Sequence, residues 1–320
     1  MIEIRNLVKN YGKNEAVKNV SFDIENGSIL GLLGTNGAGK STIMNIITGY
    51  LAPTSGEVLV DGIDANANSV EVRKKIGYLP ELPPLYGDMT VNEYLNFVCD
   101  LKGVSAKERR SQLEDIMYTT KIGDHGKRLI KNLSKGYRQR VGFAQALVGN
   151  PEIIILDEPT VGLDPSQVRE FRTTISKLGR NHTIVLSTHI LQEVTAVCSD
   201  VVMINHGTIA KKGKISEFTS NNDGKKRMFV SLRAPREECL KVLNEVNELE
   251  SVVFARAEHD VSVFRVTFDA KAKASEAIFY ACAKANMPII EMKSVEKTLE
   301  EEFMSLISAE MAENAETEAK

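Results

Sequence analysis

A glycine-rich segment carries the clearest chemistry in this chain of 320 residues. It follows the pattern Gly-x-x-x-x-Gly-Lys-Ser and lies between an apolar run, residues 28–33, and a helix-like run, residues 41–47. Glycines let backbone N–H groups converge on phosphate oxygens, and a following helix directs its partial positive end to the same place. The segment therefore predicts a phosphate loop that binds a nucleotide. The predicted binding residues are Gly34, Thr35, Asn36, Gly37, Ala38, Gly39, Lys40, Ser41 and Thr42.

Two carboxylates follow a second apolar run. Residues 153–156 are Ile-Ile-Ile-Leu, which favours a buried strand that ends at Asp157 and Glu158. Asp157 and the Ser41 hydroxyl are candidate ligands of Mg²⁺. Glu158 is placed to act as the general base for an attacking water, and Lys40 to bridge the β- and γ-phosphates. As an isolated pattern the two carboxylates could simply cap the next turn, but here they accompany a phosphate loop.

Ser134 and His189 occupy positions from which a side chain can contact a ligand. Ser134 precedes a helical pattern, so it is either an ordinary N-cap or, with the backbone near Gly136, a second phosphate-facing surface. His189 follows residues 186–188, where a strand gives way to a helix. From there it could contact a γ-phosphate and position the attacking water and Glu158.

Five segments, in this order along the chain, resemble the ATP-binding cassette family, the motor subunits of ABC transporters. They are residues 34–42, 76–81, 133–136, 153–158 and His189. The resemblance implies that two ATP molecules are sandwiched in a head-to-tail pair of cassettes. In that arrangement, Ser134 and the backbone near Gly136 face the γ-phosphate that the opposite protomer binds.

The same resemblance implies roles for three further residues. Asp164, in Gly-Leu-Asp-Pro, matches the loop that runs along the dimer interface, and Tyr11 matches the aromatic residue that stacks on adenine. Glu81 stands where many family members have glutamine. Since a carboxylate can still bind Mg²⁺, Glu81 joins Ser41 and Asp157 as a predicted metal ligand. The implied activity is ATP hydrolysis, with ATP and Mg²⁺ as the bound groups.

Two domains are predicted from the elements that must position these residues. Residues 1–219 alternate strand and helix patterns and predict an α/β fold, a P-loop NTPase of the ABC cassette type with a helical insert at about 88–149. The polar, turn-rich run 220–227 predicts a linker. Residues 228–308 have the order β-α-β-β-α-β and predict a small α+β domain, ferredoxin-like, that closes with a final helix. Residues 309–320 predict a disordered acidic tail.

Composition narrows the class of protein. With 42% hydrophobic and 26% charged residues, the chain can build an ordinary core. The net charge of −3 gives no sign of nucleic-acid affinity, so no nucleic-acid partner is expected. No stretch approaches the roughly 18 apolar residues needed to span a bilayer, so any membrane part is expected on another chain. Reduced cytosolic thiols are expected at Cys99, Cys198, Cys239 and Cys282.

The first interpretation of function is the ATP-hydrolysing subunit of an ABC transporter. Segments 78–81 and 298–303 resemble exporter cassettes of the ABC-2 type. Such a subunit pairs as a homodimer or with another cassette subunit, and drives a separate transmembrane permease. It is cytoplasmic and peripheral on the inner face of the cell membrane.

The alternative is a soluble cassette ATPase that acts on a non-membrane partner such as the ribosome. The single cassette and the short interval from Thr42 to Leu133 favour the transporter, because ribosome-associated relatives usually carry two cassettes and chromosome-associated relatives a long coiled coil. The absence of a basic stripe agrees with this. A third possibility, a switch that binds ATP without turnover, is disfavoured by Glu158.

Overall fold

The computed structural model describes residues 1–219 and 224–295. The chain divides into two compact units, Met1–Ile215 and the residues from Ser216 onward. The predicted final helix and acidic tail lie outside the described residues, as does part of the predicted linker, residues 220–223.

The first unit contains two β-sheets. Their strands are β1 (Ile2–Tyr11), β2 (Asn14–Ile24), β3 (Ile29–Leu33), β4 (Ser55–Val60), β5 (Ile63–Asp64), β6 (Ile76–Leu79), β7 (Ile153–Asp157), β8 (Thr183–Thr188), β9 (Asp200–Asn205) and β10 (Thr208–Lys214). The smaller sheet is antiparallel, in the order β2-β1-β4-β5. The larger sheet has the order β10-β9-β3-β8-β7-β6, and its neighbouring strands are parallel except for β10 with β9.

Three short apolar strands, β3, β7 and β8, lie next to one another in the larger sheet. They are almost wholly buried, as parallel strands covered on both faces must be. Their carboxyl ends meet at one edge, where ligands of open parallel sheets bind. This arrangement brings together the phosphate loop after β3, Glu158 after β7 and His189 after β8.

The helices of the first unit lie between these strands. They are α1 (Lys40–Ile47), α2 (Ser69–Lys75), α3 (Val91–Lys102), α4 (Ala106–Thr119), α5 (Lys135–Leu147), α6 (Pro165–Leu178) and α7 (Leu191–Val197). The short α8 (Ile215–Thr219) follows β10, and all but its first residue belong to the second unit. Two short 3₁₀ turns, Gly123–His125 and Ile130–Asn132, precede α5. Helix α3 begins with a capping box, in which the Thr90 side chain accepts from Glu93 N and the Glu93 side chain accepts from Thr90 N.

The second unit has a separate core. Its elements are β11 (Lys225–Leu232), α9 (Arg236–Asn244), β12 (Leu249–Glu258), β13 (Val261–Asp269), α10 (Ala274–Lys284) and β14 (Ile289–Val295). The strands form an antiparallel sheet in the order β12-β13-β11-β14. Side chains from β11 and β13, such as Val230 and Phe264, pack with α9 and α10 side chains, such as Leu243 and Ile278. Among the described elements, this order is that of a split β-α-β unit.

The start of β11 differs from the predicted linker. Lys225, Lys226 and Arg227 were assigned to the linker segment 220–227, but they pair with the end of β13. These three polar residues lack the alternation of apolar and polar side chains that predicts a strand, because a strand end that is partly exposed can be polar on both faces. Of the helices in residues 1–219 and 224–295, none has the length and apolarity required to cross a bilayer.

Candidate nucleotide site

A cavity of about 390 Å³ lies where β3, β7 and β8 end. It is lined by Ala16, Asn36, Gly37, Gly39, Lys40, Ser41, Thr42, Glu81, Glu158, Val161 and His189. The cavity therefore combines most of the predicted phosphate loop with Glu158, the predicted general base, and His189, predicted to position it, although these segments are far apart in sequence.

The phosphate loop is held in a conformation that requires glycine. Gly39 has φ of 105°, and a Cβ atom there would lie 2.6 Å from the carbonyl oxygen of Ala16. Both facts exclude an ordinary side chain without rearrangement. Lys40 follows at the start of α1, and its ammonium donates hydrogen bonds to the carbonyl oxygens of Gly34 at 2.9 Å and Thr35 at 3.1 Å. The loop thus curves around its own lysine.

Lys40, Glu158 and His189 form a connected group at the cavity. Glu158 Oε2 lies 2.9 Å from His189 Nδ1, and Glu158 Oε1 lies 3.4 Å from Lys40 Nζ. Oε1 is buried but accepts no hydrogen bond from the described residues. Glu158 also has φ of 45°, an uncommon left-handed conformation for a residue with a side chain. Such backbone strain persists only where the surroundings fix it, as they often do at functional sites.

Asp157 is buried beside this group. Burial raises the pKa of its carboxyl, whereas hydrogen bonds from Ser187 and Ser41, and the charge of Lys40, act to lower it. The Ser187 hydroxyl donates to Asp157 Oδ1 at 2.7 Å. Ser41 and Glu81 line the cavity, and Asp157 adjoins it through its hydrogen bond with Ser41. The three side chains offer a hydroxyl and two carboxylates, which are the hard oxygen ligands that Mg²⁺ prefers. The residues present therefore fit this ion.

Comparisons with known proteins agree with the site. The family model described as ABC transporter matches residues 17–161. YxlF of Bacillus subtilis (strain 168), named as an uncharacterized ABC transporter ATP-binding protein, is 30% identical over 309 residues, which cover 97% of this chain and 100% of YxlF. SrtF of Streptococcus pyogenes, a lantibiotic transport ATP-binding protein, is 38% identical over 210 residues, 65% of this chain and 89% of SrtF.

One solved structure shows the same fold. It is a dimeric post-hydrolysis state of the ATP-binding cassette MJ0796 with ADP and Pi, and it matches with a TM-score of 0.62 and 28% identity, covering 67% of this chain and 98% of that one. The chain belongs to the ABC transporter ATP-binding protein family. Members of this family hydrolyse ATP, so the chain is an ATPase and the ATP-binding subunit of an ABC transporter. The predicted family and P-loop cassette fold are confirmed.

Some predicted site residues of this ABC subunit do not line the cavity. They are Gly34, Thr35 and Ala38 within the phosphate loop, Asp157 at the end of β7, and Tyr11, Ser134, Gly136 and Asp164 elsewhere. Tyr11 ends β1 and is 49% exposed, and Lys9 Nζ lies 5.5 Å from the centre of its ring. Lys9 thus lies over one face of the ring, and the exposure of Tyr11 leaves ring surface accessible, as adenine stacking requires.

Ser134, Gly136 and Asp164 belong to one neighbourhood outside the cavity. Ser134 is the N-cap of α5, and Asp164 is the N-cap of α6, where it forms a capping box with Gln167. A Cβ atom at Gly136 would lie 2.7 Å from Oε1 of the same Gln167, so the starts of the two helices pack closely. The structure of a single chain thus separates these residues from the cavity that Lys40 lines.

Several residues at the site were not predicted from sequence. Ala16 and Val161 line the cavity, and Ser187 positions Asp157. Ser187 lies in β8 directly opposite Asp157 in β7. A usable signal was present, because Ser187 follows the apolar run 184–186 directly and lies in the last two residues of β8. The sequence alone does not give the register of β7 and β8, which places Ser187 opposite Asp157.

Proposed function

We propose that two cassettes, two copies of this chain or one copy with a related subunit, clamp two MgATP molecules between them and drive a separate membrane permease, of the ABC-2 exporter type. One observation carries the proposal. Lys40, Glu158 and His189 converge on the cavity, whereas Ser134 and Gly136 lie outside it at the start of α5. A second chain placed head-to-tail would supply the second phosphate-facing surface.

Within one chain, we assign the chemistry of hydrolysis to three residues. Glu158 is the general base, since Oε1 is buried and accepts no hydrogen bond from the described residues. His189 holds Oε2 and so fixes the direction in which Oε1 points. Lys40 places positive charge beside the phosphates, and phosphoryl transfer depends mainly on such positioning and charge neutralisation.

The cation and the nucleotide base have their own proposed ligands. Ser41, Asp157 and Glu81 would hold Mg²⁺, which when bound would neutralise charge on the phosphate oxygens. Tyr11 would stack on the adenine ring, while the backbone of the phosphate loop, residues 34–42, binds the phosphates.

The proposed dimer interface contains Ser134, Gly136 and Asp164. The backbone near Gly136 and the Ser134 hydroxyl lie at a helix N-terminus, where an anionic phosphate is favoured. The loop that contains Asp164, at the start of α6, would lie along the interface and connect the two sites.

A groove of about 680 Å³ supports docking of the permease on this subunit. It is bounded by α2, β6, α3 and α5 and contains exposed apolar side chains, Tyr50, Val70, Leu82, Tyr86 and Leu101. Exposed apolar patches of this kind mark interaction sites. Arg73, Lys74 and Lys102 also line the groove, so we propose that a short amphipathic helix with acidic residues, from the permease, occupies it.

The groove and the nucleotide cavity share one short segment. Pro80 and Leu82 line the groove, while Glu81 between them lines the cavity. A partner that moves this segment would therefore change the position of a proposed Mg²⁺ ligand. Leu82→Asp should weaken stimulation of ATP hydrolysis by the permease by about 10- to 100-fold, because burying a leucine side chain is worth about 1.5–3 kcal/mol. The basal rate of the isolated subunit should stay within about threefold, because Leu82 is exposed and does not line the cavity.

Transport across a membrane is supported by the relatives rather than by any residue in the cavity. SrtF is named for lantibiotic transport, and both YxlF and SrtF are named as ATP-binding proteins of transporters. We accordingly place the subunit on the cytoplasmic face of the cell membrane, held there by its permease. Neither relative supports the alternative of action on the ribosome.

We propose that the chain from 228 to 308 is an accessory domain that regulates hydrolysis or supports dimerisation. Its separate apolar core supports the assignment as a domain. Chains that end near residue 219 should keep ATP binding but show altered hydrolysis or weaker dimerisation. If neither ATP hydrolysis nor dimerisation changed, the domain would serve only to brace the cassette.

The deciding experiment uses Glu158→Gln. This variant should bind MgATP, fail to hydrolyse it and accumulate as a dimer, which sedimentation measures directly. If it stays strictly monomeric with saturating MgATP, even beside its own permease, the proposed clamp is wrong.

A mixture of Lys40→Ala and Ser134→Arg chains gives a sharper test. Each variant alone should be inactive, but their mixed dimer contains one intact site and should recover activity.

A further inference from the structure

A buried carboxylate outside the nucleotide cavity links the two segments that carry Glu158 and His189. Glu193, in the first turn of α7, is only 1% exposed. Its Oε1 accepts a hydrogen bond from the Thr160 hydroxyl, and its Oε2 accepts one from the Thr188 hydroxyl at 2.7 Å. Thr160 follows Glu158 by two residues, and Thr188 precedes His189 directly.

This link lies beyond the point at which the sheet holds the two segments together. The ladder between β7 and β8 ends with Asp157 opposite Ser187, and one more backbone hydrogen bond joins Glu158 N to the Ser187 carbonyl at 3.1 Å. Past that bond, the chain after Glu158 and the chain after Thr188 are free to diverge. Glu193 bridges them where backbone pairing has stopped.

The hydrogen-bond directions at Thr188 are fixed by the same carboxylate. A threonine hydroxyl has one hydrogen, and Thr188 donates it to Glu193, so its oxygen is left to accept. It accepts from the backbone N–H of Ile190 at 3.0 Å. The Ile190 N–H and the Thr188 hydroxyl flank His189, so the backbone that carries the imidazole is held on both sides.

We propose that Glu193 is a positioning residue for ATP hydrolysis. It keeps the His189 imidazole within hydrogen-bond distance of Glu158, so that Glu158 Oε1 stays directed into the cavity. It touches neither nucleotide nor water itself and acts through Thr160 and Thr188. This inference depends on the proposed roles of Glu158 and His189.

A purely structural role makes a different prediction. Buried polar groups are normally hydrogen-bonded, and removing one partner destabilises a protein wherever it occurs. Such a loss would lower the amount of folded protein without changing the rate at each competent site. A positioning role instead lowers the turnover of every folded molecule, because small misplacements near a reacting centre cost up to about 100-fold in rate.

The test measures kcat for each nucleotide-binding site, counted by MgATP binding to the full chain. Glu193→Ala, Thr188→Val and Thr160→Val should each lower kcat per site by about 10- to 100-fold, with KM for ATP within about threefold of the wild-type value. Glu193→Gln, which keeps one acceptor oxygen, should fall between Glu193→Ala and the wild type. Thr120→Val is the matched control, because it removes a buried hydroxyl bond at the end of α4 and should leave kcat unchanged.

A double-mutant cycle completes the test. In the Glu193→Ala background, Thr188→Val should add less than about a threefold further loss, because both changes break one network. The inference is overturned if kcat per site is unchanged in the single variants, or if the losses multiply. Failure of the proposed function would look different: Glu158→Gln would then retain hydrolysis, whatever Glu193 does.

Discussion

The two compact units bury different kinds of polar side chain. Among the described residues, the buried charged side chains are Lys40, Asp157, Glu158 and Glu193, and all four lie in the first unit. Within residues 224–295 of the second unit, the buried polar side chains are neutral serines, Ser231 and Ser262, and the core is otherwise apolar.

The difference shows which unit buries charged groups that lower the stability of the fold. Burying a charge is unfavourable unless it is paired or hydrogen-bonded, and apolar replacements of buried ion pairs are often at least as stable. In the described part of the second unit, the core is built from apolar side chains without buried charges. In the first unit the buried charges surround one cavity or connect the segments that line it. Their position is better explained by ATP chemistry than by folding.

The largest expected effect tests whether these buried charges serve chemistry. Glu158→Gln removes the proposed base while keeping the size of the side chain, so ATP hydrolysis should fall by about 1,000-fold. Steady-state phosphate release measures the rate, and nucleotide binding should persist. Glu152→Gln is the matched control just before the same strand, because Glu152 is 70% exposed. Equal rates for both variants would contradict the comparison.

Two buried serines, one in each unit, test the same difference between the units with a smaller expected effect. Ser187 donates to Asp157 in the first unit, and Ser262 donates to the Ala234 carbonyl oxygen in the second. Ser187→Ala should raise the Mg²⁺ concentration needed for half-maximal hydrolysis by about 10- to 100-fold, since a hydrogen bond to a charged group is worth about 1.5–3 kcal/mol. A magnesium titration of the ATPase rate measures this.

Ser262→Ala is the control for that titration. It loses a buried hydrogen bond to a neutral acceptor, so the free energy of unfolding should fall by about 1 kcal/mol. The magnesium dependence should stay unchanged. If both variants shifted the titration equally, the second unit would affect the site, and the contrast between the two units would be wrong.

The sequence predicted those parts of the site that follow one another along the chain. The phosphate loop after β3 and the carboxylates after β7 could be placed because a short apolar run, followed by glycines or acids, specifies both a strand and what lies at its end. Ser187 and Glu193 could not be placed in the same way. Their partners, Asp157 and Thr160, come from other elements, and contacts between elements depend on strand order and register.

The second unit shows the same limit. Its order of strands and helices could be predicted from local patterns, but the pairing of β11 with both β13 and β14 depends on contacts that are distant in sequence. The start of β11 at Lys225 was missed because its polar residues resemble a linker. The assignments of the final helix and the acidic tail lie outside the described residues and stay predictions.

An exposed carboxylate should matter less than a buried one. Glu81 lines the cavity but is exposed, so water can replace much of what it provides. Glu81→Gln should leave ATP hydrolysis within about tenfold of the wild-type rate, equivalent to roughly 1.4 kcal/mol of barrier. The comparison needs saturating Mg²⁺, so that only turnover is measured. A greater loss would show that Glu81 has an essential role. Burial would then not distinguish the carboxylates that matter most for hydrolysis from those that matter less.

The smallest expected effect compares exposed aromatic residues of the two units. Tyr11 is 49% exposed and Tyr280, on α10, is 69% exposed. Tyr11→Ala should raise KM for ATP by about fivefold, because stacking on a base contributes on the order of 1 kcal/mol, while kcat stays within about twofold. Tyr280→Ala should change neither value. Because stacking does not depend on base identity, Tyr11→Ala should raise KM for GTP by a similar factor, and a change confined to ATP would show that Tyr11 reads the base rather than merely supporting it.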